Sequence, residues 1–301
     1  MPDLVRIARA VATNQLARVA PATYVRLTGQ TGRGAEEESA GDIAGYFRGS
    51  FAAYFDKLGI APGAVGADLA GKTLLGYGPG DLPEVAALRV AHGAGRVYCA
   101  DRFPLVRLEG KNARVIADLA PALECTLRQR LGDSLRNPAD PAAGFDPGRI
   151  EYLVKPNSTS GLHGVADLVY SRVVLEHVND IEATFADMVT AMRPGAVAIH
   201  LVDLRSHGLH RDNPLDFLAC PPWLWNLMYS AKGVPNRWRI NRYRELLSRQ
   251  PVDVLALEVT AGASQADIEH ARPLLAGPFR GLCDEDLSCL GFWLVFKKRS
   301  A

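Results

Sequence analysis

Apolar residues recur along this chain with two periods, one helical and one strand-like, and their alternation sets the expected elements. From Leu4 to Val19, the residues Leu4, Ile7, Ala8, Val11 and Leu16 fall near one side of a helix with Arg6, Arg9 and Arg18 among them, which predicts an amphipathic helix. Asp42 to Leu58 predicts a second helix, with an aromatic stripe made by Tyr46, Phe47, Phe51, Tyr54 and Phe55. Between the two, Gln30 to Ala40 (QTGRGAEEESA) has the glycine and charge content of an exposed loop. Farther on, short β-rich runs appear at Thr73 to Tyr77, Val97 to Ala100, Ile150 to Val154, Gly195 to Leu204 and Val252 to Val259, and the tail CLGFWLVFKK reads as part of a hairpin. Helical spacing returns at Leu82 to Leu88, Ala117 to Leu131 and Asp180 to Met192, and the proline-rich stretch Arg136 to Gly148 reads as a loop. Strands that alternate with helices predict a mostly parallel sheet with helices on both faces.

The stretch from Lys72 to Phe103 carries the most chemistry. An apolar strand runs into Gly76-x-Gly78-x-Gly80, a helix follows, and a second strand ends in Asp101, 23 residues after Gly78. Such a unit brings backbone close to a nucleoside ligand and places a carboxylate where two ribose hydroxyls can donate to it. A dinucleotide site needs room for a pyrophosphate at the helix start and usually shows G-x-G-x-x-G. Here Asp81 follows Gly80 at once, where a carboxylate repels a diphosphate but tolerates the ammonium of a methionine-like end. Asp81 and Glu84, with Pro83 between them, also read as a capping box.

Two further blocks lie downstream in order: ADLVYSRVVLEHVND, from Ala166 to Asp180, and GAVAIHLVDL, from Gly195 to Leu204, after a helix ending in MRPG. With the G-x-G turn and the tail, these blocks resemble the class I S-adenosylmethionine (SAM)-dependent methyltransferases over roughly Lys72 to Leu204. The resemblance implies an α/β fold: a Rossmann-like, seven-stranded, mostly parallel sheet with the last strand antiparallel. An N-terminal helical cap would occupy residues 1–65, the SAM-binding domain residues 66–301, and a long insertion after the fifth strand residues 205–247. It implies SAM as cofactor, held by Gly76, Gly78, Pro79, Gly80, Asp81, Asp101, Arg102, Asn157, Ser171 and Arg172. Two positions depart from the family pattern. Gly76 stands where many members carry an acid for the methionine ammonium, which leaves Asp81 for that task. Asn157, after the third strand, stands where relatives often place an acid for the adenine amino group.

Residues 205–247 carry three of the four tryptophans, Trp223, Trp225 and Trp238, and are expected to build an aromatic lid over the acceptor pocket. Methyl transfer needs a base when the acceptor is an alcohol, and His177 and His207 are the expected bases. Tyr46, Asp203, Arg205, His210 and Trp223 are expected to face the acceptor, with Arg172 and Arg205 suited to an anionic group. Asp203, His207 and His210 also have the donor types of a metal site, but no further ligand stands at clear spacing, and no metal is expected.

Composition narrows the function further. The 301 residues have a net charge of +1, which carries no nucleic-acid footprint. The five cysteines form no C-x-x-C pair, which argues against a disulfide framework. No apolar run is long enough to span a bilayer, and MPDLVRIARAV lacks the apolar core of a signal peptide, so a cytoplasmic enzyme is expected. The basic first helix also suits peripheral contact with a membrane surface, although packing on its own domain is the commoner use of such a helix. The function expected is SAM-dependent O-methylation of a small molecule or a saccharide. The alternatives are an NAD(P)-dependent oxidoreductase on a Rossmann fold and a SAM-binding protein that does not methylate.

Overall fold

The structure, a computed structural model, describes residues 4–28, 38–155, 159–209 and 212–300. Most of the loop expected over Gln30 to Ala40 therefore lies outside the described residues. The chain opens with α1 (Leu4–Val19) and α2 (Pro21–Thr28), separated where Pro21 starts a new helix because it cannot continue the old one. Then come α3 (Ala40–Lys57), whose N-cap Ser39 accepts a hydrogen bond from the Asp42 amide, and the short α4 (Val65–Leu69). β1 (Thr73–Tyr77), α5 (Glu84–Ala91), β2 (Arg96–Asp101), α6 (Lys111–Leu119), α7 (Cys125–Asp133), β3 (Ile150–Val154) and β4 (Ala166–Arg172) follow. The rest comprises α8 (Ile181–Ala191), β5 (Met192–Asp203), α9 (Pro222–Tyr229), α10 (Ile240–Ser248), β6 (Val252–Gly262), α11 (Gln265–Ala271), α12 (Asp284–Ser288) and β7 (Cys289–Lys298).

Two expected boundaries shift. The single helix expected over Ala117 to Leu131 is two helices, because Pro121 sits in a 3-10 turn, Ala120–Ala122, that ends α6 before α7 begins. β5 begins at Met192 and takes in the MRPG segment that was expected to end a helix. Arg193 and Pro194 are both exposed there, so the missing proline amide faces no buried partner.

The seven strands lie in the order β3-β2-β1-β4-β5-β7-β6. β2 pairs in parallel with β1 and with β3, and β6 and β7 form an antiparallel pair, so the sheet is mixed. The order reverses direction at β1, and in open α/β sheets ligands bind outside the carboxyl ends of the strands at such a point.

The chain divides into two compact units. The first comprises Gly29–Tyr170 and Thr190–Val197. In it, Leu74 and Leu75 of β1 and Val97 and Cys99 of β2 are buried, and α5 buries nearly its whole surface. That burial includes Arg89, which is fully buried, makes no side-chain hydrogen bond and stacks on the rings of Tyr170 (3.9 Å), Tyr54 (4.9 Å) and Phe55 (5.4 Å). Desolvated cation–π contacts contribute about 2 kcal/mol, whereas taking a cation out of water costs several. Arg89→Met is therefore expected to raise the stability of the protein by about 1–3 kcal/mol in chemical denaturation.

The second unit comprises Met1–Thr28, Ser171–Val189 and Ala198–Ala301. Its core joins Leu215, Phe217, Leu218, Trp225, Ile268 and Leu287. α1 packs on α9, and buried Asn14 fixes the contact. Its amide donates to the Leu227 carbonyl (2.9 Å) and to Ser230 Oγ (3.2 Å), and its oxygen accepts from the Ala231 amide (2.8 Å). The basic first helix is thus packed on its own chain. Among the described residues no helix is long and apolar enough to cross a membrane.

Candidate functional site

The first locus is the glycine turn at the end of β1. Gly78 (φ 63°) and Gly80 (φ 72°) both adopt the left-handed conformation, which side-chain-bearing residues reach only at a cost, and the Gly78 amide donates to the Ala100 carbonyl (2.9 Å). Pro79, between them, is partly exposed. The expected capping box does not form. Pro83 is the N-cap of α5 and caps with no side chain, because the proline delays the helix until Glu84 and leaves Asp81 two residues before the cap position. The buried Asp81 instead accepts from Asn112 Nδ2 (3.2 Å), and its carbonyl accepts from the Arg107 amide (2.9 Å). Glu84 is also buried, and burial pushes its carboxyl well above the ordinary range.

Asp101 ends β2, with its Oδ1 accepting from the Phe103 amide (3.1 Å). Burial pushes its carboxyl up to about 6, against the pull of the Phe103, Arg102 and Gly80 amides and the Arg102 charge. The bond from the Gly78 amide to Ala100, the residue before Asp101, puts this acid beside the glycine turn. Arg102 lies over the Phe103 ring, 4.6 Å from its centroid. Gly76 has a separate cause for lacking a side chain. A Cβ there would lie 2.6 Å from Tyr170 Cζ, in the space that the Tyr170 ring fills above Arg89. An acidic side chain has no room at this point.

The second locus lies in the second unit. Glu176 and His177 stand in the turn after β4 and His207 follows β5, and one ligand atom from each lies within 4.8 Å of the others. Glu176 Oε1 is 3.8 Å from His207 Nε2 and 4.0 Å from His177 Nε2, and the two imidazole centroids are 4.8 Å apart. The glutamate side chain is only 1% exposed while the histidines are 27% and 33% exposed, so the cluster has a buried acid at its base and an accessible face. Burial pushes the Glu176 carboxyl well above the ordinary range, with nearby Asp203 adding to the effect and backbone amides and Arg205 opposing it. The structure thus joins the two histidines expected from the sequence and adds Glu176, which the sequence reading missed.

The turn that carries Glu176 is clamped from the insertion. Asn236 Nδ2 donates to the carbonyls of Leu175 (2.9 Å) and Val178 (3.1 Å), and the Asn236 amide donates to the Glu176 carbonyl (2.6 Å). The fully buried Arg239 donates to the carbonyls of Leu204 (3.0 Å), Leu287 (2.9 Å) and Cys289, which holds the segment leaving β5. Among the described residues, the non-glycine positions with left-handed φ are Val173, His207 and Arg237. Each costs of order 1–2 kcal/mol and they fall in the turns of this locus or beside its clamp, a pattern typical of functional segments. Asn236→Ala strands two turn carbonyls. It is expected to cost about 1–3 kcal/mol in denaturant unfolding.

The other expected residues are more scattered. Asp203 and Arg205 satisfy each other. Arg205 Nε lies 2.8 Å from Asp203 Oδ1 and its Nη2 pairs with Oδ2, so burial, which pushes the Asp203 carboxyl up, is outweighed and the group stays below its ordinary range. This pairing occupies the fork that was expected to hold an anionic acceptor. Ser171 is turned inward. Its hydroxyl pairs with Nδ1 of the buried His200 (2.7 Å), and burial keeps that histidine neutral by pushing its pKa down to about 3. Arg172 ends β4 half-buried, and Tyr46 on α3 is half-buried against Phe47. Of the expected lid, Trp225 belongs to the core, Trp223 is 69% exposed on α9, and Trp238 is half-buried beneath Arg242. Asn157 and His210 lie outside the described residues.

No family model and no curated protein matches the chain. Among solved structures, it is similar to an S-adenosylmethionine-dependent methyltransferase from Mesorhizobium loti, at 17% identity over 78% of this chain and 96% of that one, with a TM-score of 0.44. It is similar to phosphoethanolamine N-methyltransferase 2 of Haemonchus contortus in complex with S-adenosyl-L-methionine, at 12% identity over 84% of this chain and 53% of that one, with a TM-score of 0.44. The [4+2]-cyclase SpnF is similar at 12% identity over 79% of each chain, with a TM-score of 0.42. Likeness of this degree does not assign an activity.

Proposed function

We propose that the chain is a SAM-dependent methyltransferase whose cofactor sits on the glycine turn with its ribose hydroxyls on Asp101. The observation that carries this reading is the charge layout of the first locus. A buried carboxylate ends β2 beside the glycine turn, as a ribose requires, while Asp81 occupies the approach to α5, where a dinucleotide would place its pyrophosphate. The Asp81 carboxylate there suits an ammonium and opposes a diphosphate. In this reading Asp81 takes the role for which Gly76 has no side chain. The sheet supports the same choice, because a dinucleotide sheet runs 3-2-1-4-5-6, whereas here β7 stands between β5 and β6 and is antiparallel to β6. Both observations tell against the oxidoreductase.

The reaction we assign is O-methylation of a hydroxyl on a small molecule or a saccharide, with the second locus, Glu176, His177 and His207, removing the acceptor proton or lowering its pKa. Most of the gain in an in-line displacement at a methyl carbon comes from placing the acceptor oxygen behind it. His207→Ala is expected to lower turnover about a hundredfold while leaving SAM affinity unchanged. Release of S-adenosylhomocysteine and a binding titration measure the two effects separately.

Cofactor affinity should depend on pH in a defined direction. The ionised carboxylate of Asp101 accepts from both ribose hydroxyls, and protonation removes that capacity. With its carboxyl pushed up to about 6, SAM affinity is expected to be level at neutral pH and to fall as pH drops through about 6, by roughly tenfold per unit below it. Affinity that stays constant down to pH 5 would remove Asp101 from the ribose site.

A further inference from the structure

We propose that Glu176, His177 and His207 bind one divalent transition-metal ion of the zinc type. The inference rests on the second unit alone and stands whether or not the methyl-transfer reading is correct. Two imidazoles and one carboxylate make a donor set suited to Zn(II) or Co(II), whereas Mg(II) and Ca(II) prefer oxygen ligands. The Glu176–histidine donor separations, 3.8 Å and 4.0 Å, and the set as a whole, within 4.8 Å, stand wider than the roughly 3.3–3.5 Å between ligands of a tetrahedral zinc. Small rotations of two half-exposed imidazoles close that gap. Three protein ligands leave a fourth position open on the accessible side, the arrangement of catalytic rather than structural zinc.

The second observation is the state of Glu176. Its side chain is almost wholly buried, it faces the two histidines, and neither of its oxygens accepts a hydrogen bond of ordinary geometry. Buried carboxylates are paired, hydrogen-bonded or bound to a metal, and within 4.0 Å of this one stand two metal-ligand side chains, His177 and His207. Asn236 holds the main chain of this turn through the carbonyls of Leu175, Glu176 and Val178, so the acid and His177 are presented on a fixed frame. Asp203, the carboxylate that the sequence would have supplied for this purpose, is occupied by Arg205.

The test is titration of metal-free protein with Co(II), read by visible d–d absorption, and with Zn(II) by calorimetry. Wild-type protein is expected to bind one ion per chain. Glu176→Gln and His207→Ala should each weaken binding by at least about a hundredfold, since even partners outside the ligand set contribute about 10–100-fold. Circular dichroism checks that both variants fold, and His207→Ala alters a half-exposed position where folding is not at stake. His163→Ala, at an exposed histidine in the first unit, should bind as wild type does and so reports any unspecific imidazole binding. The absence of Co(II) and Zn(II) binding in wild type, or binding unchanged in both Glu176→Gln and His207→Ala, would overturn the proposal.

Discussion

Gly76→Val is expected to cost the protein about 3 kcal/mol or more, a large part of the 5–15 kcal/mol that holds an ordinary domain folded. The strand itself tolerates valine. The cost comes from Tyr170, whose ring would lie 2.6 Å from the new Cβ and is held by Arg89 stacked at 3.9 Å, so the ring cannot swing aside freely. Forcing extra methyl groups into a filled core costs about 1–3 kcal/mol on its own, and displacing Tyr170 from Arg89 adds the lost cation–π contact. In the Gly76→Val/Tyr170→Ala double variant the two losses should not add, and a coupling of about 1–3 kcal/mol in favour of the double variant is expected from urea denaturation of all four proteins. Additive losses would show that the ring does not fill the space at Gly76.

The parts of the molecule that could be read from the chain are those where local chemistry decides. Gly78 and Gly80 had to be a turn because their spacing left no side chain to pack, and both have left-handed φ. Asp101 marks the end of β2 because an acid closes a β-branched and apolar run, and Leu4–Val19 is helical over the expected span. What escaped depends on neighbours distant in sequence. Glu176 looks like any acid in a turn until β4 and β5 bring His207 to within 3.8 Å of it. Asn236 gives no signal of clamping a turn some sixty residues earlier in the chain. Ser171 resembles a polar strand end that faces a ligand, yet its hydroxyl belongs to His200 on β5. Trp225 shares its segment with Trp223, and only tertiary packing sends one into the core and leaves the other in solvent. The failed capping box and the helix broken at Pro121 are local misses, each caused by a proline: one starts α5 later than the pattern D-x-x-E suggests, the other sits in the turn that ends α6.

The other large effect is expected at Asp101. Two ribose hydroxyls donating to one carboxylate form charge-assisted hydrogen bonds of about 1.5–3 kcal/mol each, so Asp101→Ala should weaken SAM binding by about a hundredfold or more. Because Oδ1 also accepts from the Phe103 amide at 3.1 Å, Asp101→Ala loosens the local turn as well. Asp101→Asn separates the two roles. It keeps an acceptor for Phe103 and gives up the negative charge, and it should retain wild-type thermal stability while still losing most of the affinity for SAM.

Calorimetric titration of the wild-type protein with SAM, and separately with NAD(+) and NADH, shows which cofactor the glycine turn takes. One SAM site per chain is expected, with affinity that falls about a hundredfold in Asp101→Asn, and neither nicotinamide dinucleotide should give binding heat at the same concentrations. Binding of NAD(+) or NADH with no response to SAM, or SAM binding that Asp101→Asn leaves unchanged, would rule out a SAM site at Asp101.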